Sequence, residues 1–357
     1  MKTVFLGLDT SCYTTSLALT DGEGRLLYQQ RRLLSVKAGE KGLRQSEAFY
    51  QHMLHLPELF KEMEAALPFA LTDRLAAIAV STKPCRRQES YMPVFRAGQA
   101  VAQALAAAAA VPLISTTHQE GHLMAALWSA DLRPFFDSSG TEAFCLAKGK
   151  TMDWQQLCPF LAFHLSGGTT ELILVRQVVQ DQFFCFDYSV VSGTLDIPAG
   201  QLIDRTGQVL GLPFPAGPHL ENLALSKGPA AKPLESIPTH CRQGFISLSG
   251  GEAWAKRSLA GGKEPAEIAR TIEHYIAGSL VKAVDAYLDR KPEELPKFII
   301  FMGGVASNAY IRQLLQARLE RKIPCVFALP EYSTDNALGT ALIGAASVNK
   351  GSMSLNC

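Results

Sequence analysis

The chain has 357 residues, of which 47% are hydrophobic and 19% are charged, and its formal net charge is +1. This composition is typical of a folded globular protein and argues against a disordered chain. The length exceeds what one hydrophobic core usually accommodates, so we expect two domains. Because the charge is close to zero, only a local basic patch would attract a nucleic acid.

Cysteine usage and the first residues predict a reduced, cytoplasmic protein. The eight cysteines are scattered, none belong to a Cys-x-x-Cys pair, and the chain opens directly on an apolar strand. The longest apolar run, 97–114, is mostly alanine and contains Gln99 and Gln103. Since alanine gains little from hydrocarbon, this run predicts a buried helix, and no membrane association is expected.

Apolar runs and turn residues predict the elements in chain order. Strands are predicted at 3–9 and 16–20, with a hairpin turn at 21–24 leading into a third strand. Further predicted elements are a helix at 46–66, strands at 76–80 and 297–302, and helices at 200–210, 308–319 and 335–346. Residues 127–156 lack clear periodicity and are predicted to be an insertion or a flexible connector.

The N-terminal hairpin has a second copy in the chain. The pattern Ser11-x-x-Thr14-Thr15-x-Leu17-x-Leu19 matches Ser166-x-x-Thr169-Thr170-x-Leu172-x-Leu174, and an apolar strand precedes each. We predict an internal duplication and an α/β fold of the two-lobed, actin-like ATPase type, with duplicated mixed-sheet domains whose hairpin turns clasp a nucleotide's phosphates. The predicted domains are 1–117 with 335–350, then 118–334, and a loose tail at 351–357.

A pair of histidines is the sharpest single motif. His118 and His122 are four residues apart, so on a helix both imidazoles share a face and can reach one cation. Glu120 would point away from them, which argues against a zinc peptidase of the His-Glu-x-x-His type. Spacing alone is equally compatible with two packed or surface histidines that bind no metal, and a metal would need a further ligand such as a carboxylate.

Four other features are compatible with a ligand site, each with a simpler alternative. The turn Ser166-Gly167-Gly168 could expose backbone N–H groups to a phosphate, or be an ordinary tight hairpin. Gly303-Gly304, before a helix, has the same two interpretations. Asp204 could bind a ribose or pair with Arg205. Asp335-Asn336 could cap the last helix, or Asp335 could be a ligand. The basic run Arg31, Arg32, Lys37, Lys41 and Arg44 is more typical of a solvated loop than of a nucleic-acid patch.

Taken in order, these motifs resemble those of the TsaD family, which includes the catalytic subunit of the KEOPS complex. The family's opening strand and turn resemble residues 7–12, and its His-x-Glu-Gly-His-Leu signature matches 118–123. Its Ser-Gly-Gly-x-Thr turn matches 166–170, and its Thr-Leu-Asp to Phe-Asp-Lys stretch is similar to 194–205. The remaining matches are Gly217, the segment Gly303, Gly304, Val305 and Asn308, and the segment Thr334, Asp335 and Asn336.

The resemblance implies a function and a set of site residues. His118, His122 and Asp335 would hold one metal ion, iron or zinc, at the catalytic centre. An adenine nucleotide, threonylcarbamoyl-AMP or ATP, would bind to His164, Leu165, Ser166, Gly167, Gly168, Thr170, Asp204, Gly217, Gly303, Gly304 and Asn308. The reaction would transfer threonylcarbamoyl to the N6 amine of a tRNA adenosine beside the anticodon. Implied partners are tRNA, a TsaB-like subunit and an ATPase.

The chain also departs from the family pattern. Tyr13 and Thr14 stand where the family has Asp-Glu, and residues 83–87 replace its glycine-proline-glycine loop. Gln201, Ile203 and Thr169 replace further family residues. These changes leave alternatives open: a paralogue with another acceptor, a non-catalytic or ATP-binding partner of a true transferase, or a small-molecule kinase that uses Asp9.

Overall fold

The computed structural model describes residues 3–11, 13–36, 43–87, 89–130, 157–179, 184–228 and 232–348. The chain divides into two compact units. Unit 1 comprises Met1–Gln156, Val178–Asp187 and Thr334–Cys357, and unit 2 comprises Leu157–Gln177 and Tyr188–Ser333. Within the described ranges, none of the helices has the length and apolar character that a bilayer crossing requires.

The described strands and helices are numbered in chain order. The strands are β1 Val4–Ser11, β2 Thr14–Asp21, β3 Leu26–Leu33, β4 Leu75–Ser81, β5 Leu113–Thr116, β6 Phe160–Leu165, β7 Thr170–Val179, β8 Cys185–Gly193, β9 His240–Arg242, β10 Phe245–Ser247, β11 Ile299–Met302 and β12 Cys325–Phe327. The helices are α1 Gln45–Ala66, α2 Leu71–Arg74, α3 Phe95–Ala109, α4 His118–Ser129, α5 Ala199–Val209, α6 Gly217–Leu225, α7 Ser249–Ala260, α8 Pro265–Leu288, α9 Ala309–Leu319, α10 Pro330–Ser333 and α11 Leu338–Val348.

Two five-stranded sheets share one topology. Their strand orders are β3-β2-β1-β4-β5 and β8-β7-β6-β11-β12, so β6 corresponds to β1. In each sheet the central strand pairs antiparallel with the next strand of its hairpin and parallel with a later strand. Strand order and orientation therefore confirm the predicted duplication of mixed-sheet domains.

The first sheet is covered by helices on both faces, which explains why residues 4–8 of β1 are apolar without alternation. All eight residues of β1 are buried. On one face Leu6 and Leu8 join a core with Leu59 of α1 and Ala102 of α3. Helix α11 also contacts β1, β2 and β4. A strand enclosed in this way loses the apolar–polar alternation of a half-exposed strand.

Three boundaries differ from the sequence prediction. The apolar run 97–114 is not one helix, because α3 ends at Ala109, Ala110 adopts a left-handed φ of 49°, and β5 follows Pro112. The last helix begins at Leu338 and not at 335. Helix α4 groups with unit 1, because it follows β5 directly and packs on α11, whereas the sequence assigned 118–334 to the second lobe.

The predicted connector, 127–156, lies mostly outside the described residues, although 127–129 form the end of α4.

Candidate functional site

Helix α4 has a tightly defined first turn. Thr117 caps it: the Thr117 hydroxyl accepts from the Glu120 backbone N–H, and the Glu120 carboxylate accepts from the Thr117 backbone N–H. The other carboxylate oxygen of Glu120 accepts two hydrogen bonds from the Arg86 guanidinium, at 3.1 and 2.7 Å. These bonds point Glu120 away from the histidines, as predicted, and they hold the helix end from which His118 projects.

Three side chains of unit 1 converge beside this turn. The Nε2 atoms of His118 and His122 are 3.0 Å apart. The Oδ1 atom of Asp335 is 3.5 Å from the Nε2 of His118 and 3.3 Å from that of His122. A tetrahedral ion with bonds of about 2.0–2.2 Å places neighbouring ligand atoms roughly 3.3–3.6 Å apart. The two spacings to Asp335 lie within this range, and the 3.0 Å spacing between the histidine nitrogens is slightly shorter, so the three atoms are close enough to bind one metal ion. We call these residues the His–His–Asp cluster.

The start of α11 explains how Asp335 reaches the histidines. The side chain of Asn336 accepts from the Leu338 backbone N–H and so caps this helix. The sequence left Asp335 two roles, helix capping or ligand binding, and the structure shows that Asn336 makes the capping bond. A Cβ on Gly339 would overlap the carbonyl oxygen of Gly121, so α11 and α4 approach to backbone contact. A Cβ on Gly7 would lie 2.5 Å from the Ala341 nitrogen, so the backbone of α11 also lies close to β1.

Replacing Gly339 with alanine should separate α11 from α4. The new methyl group would also lie 2.7 Å from the Gly121 carbonyl carbon and 2.8 Å from the Ala125 nitrogen, and backbone atoms cannot move aside cheaply. We expect a loss of about 1–3 kcal/mol in the free energy of unfolding and weaker Zn²⁺ binding, measured by urea unfolding and metal titration. Gly344→Ala, whose methyl would meet the Ala79 Cβ at 3.0 Å, should cost less. Equal stability of the Gly339 variant and wild type would contradict this close packing.

The charges of the cluster also suit a cation. Burial by itself lowers the pKa of His118, but the charge of Asp9 and a hydrogen bond with Asp335 raise it to about 10. Burial and the charge of His118 lower the pKa of His122. Burial would raise the pKa of Asp335, but hydrogen bonds from both imidazoles hold it well below its usual value. Two carboxylates thus share one imidazolium charge, and a divalent ion would balance both while leaving both imidazoles neutral.

A second group of candidate residues lies in unit 2, around the turn between β6 and β7. The Ser166 backbone N–H donates to the Thr169 oxygen at 2.8 Å, and the Thr169 N–H donates to the Ser166 hydroxyl at 3.0 Å. A Cβ on Gly167 or Gly168 would meet nothing within 4 Å, so their backbone is open to a ligand. A Cβ on Gly200 would lie 2.7 Å from the Gly167 nitrogen, which places the N-terminus of α5 against this turn.

The Gly303-Gly304 segment lies at the same edge of the second sheet. Gly303 has a φ of 96°, and a Cβ there would overlap the carbonyl oxygen of Leu165, the last residue of β6. Strands β6 and β11 are parallel neighbours, and His164 pairs with Met302. Ligands of open α/β sheets bind outside the carboxyl ends of such strands. We call the residues 165–168, 200 and 303–304 the glycine cradle.

Asp204 and Asn308 both make structural bonds near the cradle. The Asp204 carboxylate accepts from the Ala216 N–H at 2.8 Å, and burial raises its pKa. Arg205 instead binds Glu252, so the alternative pairing of Asp204 with Arg205 is absent between these described residues. Asn308 caps α9 through its oxygen and donates its amide to the buried Glu273 at 2.7 Å. Gly217 begins α6, and a Cβ there would meet nothing within 4 Å.

Comparison with known proteins identifies the family. The sequence model of TsaD, tRNA N6-adenosine threonylcarbamoyltransferase, matches residues 142–342. The tRNA N6-adenosine threonylcarbamoyltransferase of Granulibacter bethesdensis is 31% identical over 362 residues, which cover 98% of this chain and 90% of that protein. The chain belongs to the TsaD family. The corresponding protein of Carboxydothermus hydrogenoformans is 29% identical, with coverage of 98% and 93%.

Solved structures support the fold of this TsaD-family chain. HypF from T. kodakarensis has a TM-score of 0.53 at 12% identity and covers 97% of this chain and 48% of its own. The activator of the 2-hydroxyisocaproyl-CoA dehydratase from Clostridium difficile has a TM-score of 0.50 at 10% identity, with coverage of 99% and 98%. Likeness at such low identity concerns the fold alone. With the duplicated sheets, it confirms the predicted two-lobed, actin-like ATPase fold.

The structure adds two residues to the site of this TsaD-family chain that the sequence did not assign there. Arg86, from the segment that replaces the family's glycine-proline-glycine loop, binds Glu120. Asp9 accepts a hydrogen bond from His118 Nδ1 at 2.9 Å. A sequence signal existed for Asp9, since an acid that ends an apolar run within a strand needs a partner when it is buried.

The basic run of this TsaD-family chain is only partly described. Arg32 binds Glu58 and Glu62 on α1, as expected for a structural surface arginine. Arg31 donates to the Thr334 hydroxyl, next to Asp335. Lys37 and Lys41 lie outside the described residues.

Proposed function

We propose that this chain transfers a threonylcarbamoyl group from threonylcarbamoyl-AMP to the N6 amine of a tRNA adenosine next to the anticodon, with one metal ion, iron or zinc, held by His118, His122 and Asp335. The observation that carries the proposal is the convergence of these three side chains in a member of the TsaD family. A structural scaffold would have no need for three polar side chains that converge like the ligands of one ion.

The glycine cradle would bind the adenylate. In this proposal the open backbone at Gly167 and Gly168 holds the phosphate. The first two N–H groups of α5 donate to Thr170 and Ser166, so this helix would contribute through its dipole, which favours negative charge at its N-terminus. The Asp204 carboxylate would accept a hydrogen bond from a ribose hydroxyl. The other proposed nucleotide contacts are His164, Leu165, Ser166, Thr170, Gly217, Gly303, Gly304 and Asn308. Asn308 would contribute mainly by shaping its helix start, because both ends of its amide make structural bonds.

The transfer step forms a C–N bond and breaks a C–O bond. The amine attacks the carbamoyl carbon, the phosphate oxygen departs with its electron pair as AMP, and the amine loses one proton. A bound metal ion would act as a Lewis acid on the carbamoyl group. The glycine cradle would stabilise the charge of the departing AMP. Tyr13 and Thr14 replace an acidic pair of the family, and neither is a base near neutral pH, so water is the proposed proton acceptor.

The same replacement favours a second candidate, a transferase with a different acceptor amine. At the positions where the family has an acidic pair that could order the attacking amine, this chain has the aromatic Tyr13 and the hydroxyl-bearing Thr14. A kinase that uses Asp9 is less favoured, because the Asp9 carboxylate is already engaged by His118. Partners proposed with the transferase are tRNA, a TsaB-like subunit and an ATPase.

A transfer assay separates these candidates. Purified protein with threonylcarbamoyl-AMP is offered unmodified tRNA and then small amines, and product masses are measured. We expect modified tRNA, and we expect Asp335→Ala to remove most of the product while Asp285→Ala, which changes a carboxylate of α8 paired with Lys322, has no effect. Product only with small amines would favour the altered acceptor. No transfer, together with no bound metal, would overturn the proposal.

A further inference from the structure

Asp9 is a buried acid in direct contact with the His–His–Asp cluster. Its side chain is 1% exposed, and its Oδ2 atom lies 2.9 Å from the Nδ1 atom of His118. Its other oxygen accepts from the Ser11 backbone N–H at 2.9 Å. The far nitrogen of the same imidazole, Nε2, faces His122 and Asp335. The imidazole of His118 therefore lies between Asp9 and the two other members of the cluster.

This arrangement determines which nitrogen can bind a cation. A neutral imidazole carries its proton on one nitrogen and its lone pair on the other. When Nδ1 donates to the Asp9 carboxylate, the lone pair is on Nε2, the atom that faces the cluster. We propose that Asp9 is a positioning residue of the metal site, which holds the His118 ring in the orientation and tautomer that a metal ion requires. This inference rests on the metal site of the proposed function.

Asp9 is itself held firmly enough for such a role. It lies in β1, between Leu8 on one side and Thr10 on the other, and it pairs across the hairpin with Ser16. The Ser81 hydroxyl on β4 lowers the pKa of this carboxylate. Ser81 in turn contacts Thr340 of α11 at 3.3 Å. Asp9 is therefore held by a buried sheet, which carries Asp9 and Ser81, and by α11, the helix that follows Asp335.

A direct role of Asp9 as a fourth ligand does not fit these contacts. The group of ligand atoms lying within 4.8 Å of one another comprises His118, His122 and Asp335 and does not include Asp9. The carboxylate of Asp9 binds the side of the ring opposite to Nε2. A carboxylate placed behind a ligating imidazole also raises the basicity of the ligand, which strengthens its bond to a metal.

The test uses the full-length chain and Zn²⁺, titrated in competition with a chromophoric chelator. Asp9→Asn keeps the shape of the side chain and an oxygen for the Ser11 N–H, but its amide can donate to Nδ1 and favour the wrong tautomer. We expect the affinity for Zn²⁺ to fall about 10- to 100-fold. Long-range proton–nitrogen spectra of protein labelled with ¹⁵N-histidine should show the His118 Nδ1 losing its proton in part of the population.

A double-mutant cycle separates positioning from a general effect on the fold. In a His118→Ala background the Asp9→Asn change should alter the residual Zn²⁺ affinity by less than about twofold, because its target is gone. An equal loss in both backgrounds would overturn the proposal. If the wild-type protein binds zinc and Asp9→Asn binds it with the same affinity, only this proposal is overturned. If the wild-type protein binds no zinc, the proposed function is overturned as well.

Discussion

Replacing His122 with alanine should remove the bound metal and leave the protein folded. The ring is buried and its pKa is lowered by burial and by His118, so His122 is neutral and its loss removes a ligand without removing a charge. Structural zinc sites with four ligands bind with about 10–16 kcal/mol, so one ligand corresponds to roughly 2.5–4 kcal/mol and a 100- to 1,000-fold loss of affinity. Metal analysis and Zn²⁺ titration measure this loss, and transfer to tRNA should fall with it.

His118→Ala should lose the metal to a similar extent but should also destabilise the metal-free protein. His118 carries the positive charge between Asp9 and Asp335, so its removal leaves the buried Asp9 and the partly buried Asp335 without a cation. Breaking a buried ion pair by removing one partner costs about 3–5 kcal/mol. The exposed His240 of β9 provides the control, since His240→Ala should change neither quantity. Variants of His118 and His122 that keep one metal ion per chain would contradict the site.

Replacing Gly200 with alanine should disrupt the glycine cradle. The new Cβ would lie 2.7 Å from the nitrogen and Cα of Gly167 and from the Ser166 oxygen, all of them backbone atoms. The turn and the start of α5 would have to separate, so the N–H groups proposed to hold the phosphate would no longer converge. We expect AMP affinity, measured by calorimetry, to fall at least about tenfold, or roughly 1.4 kcal/mol.

The matched control for this change is Gly278→Ala in α8. A Cβ at Gly278 would meet nothing within 4 Å, and alanine in a helix interior is favoured over glycine by roughly 0.5–1 kcal/mol. This variant should keep its AMP affinity and unfold at a slightly higher denaturant concentration. The metal content of the Gly200→Ala variant should equal that of wild type. The AMP affinity of the His122→Ala variant should also equal that of wild type. Unchanged AMP affinity in Gly200→Ala would show that the nucleotide does not bind at this turn.

The two sites differ in how much of each was visible in the sequence. The glycine cradle depends on a local turn, and the repeated Ser-x-x-Thr-Thr pattern located that turn in both halves of the chain. The close approach of Gly200 to Gly167 was not visible, since it depends on how α5 enters after β8. Likewise, Asn308 matched a family motif, but only the structure shows that its amide is engaged by Glu273 and by its own helix.

Local periodicity determined the helical spacing of His118 and His122, because residues four apart on a helix share a face whatever surrounds them. The repeated hairpin pattern likewise determined the duplicated fold. Only the tertiary structure decided that Asp335 and not Asn336 joins the histidines, that Asp9 lies behind His118, and that α4 belongs to unit 1. These contacts join residues far apart in the chain, and they depend on how closely whole elements approach, here through Gly7, Gly121 and Gly339. Side-chain spacing along one segment carries no information about such distances.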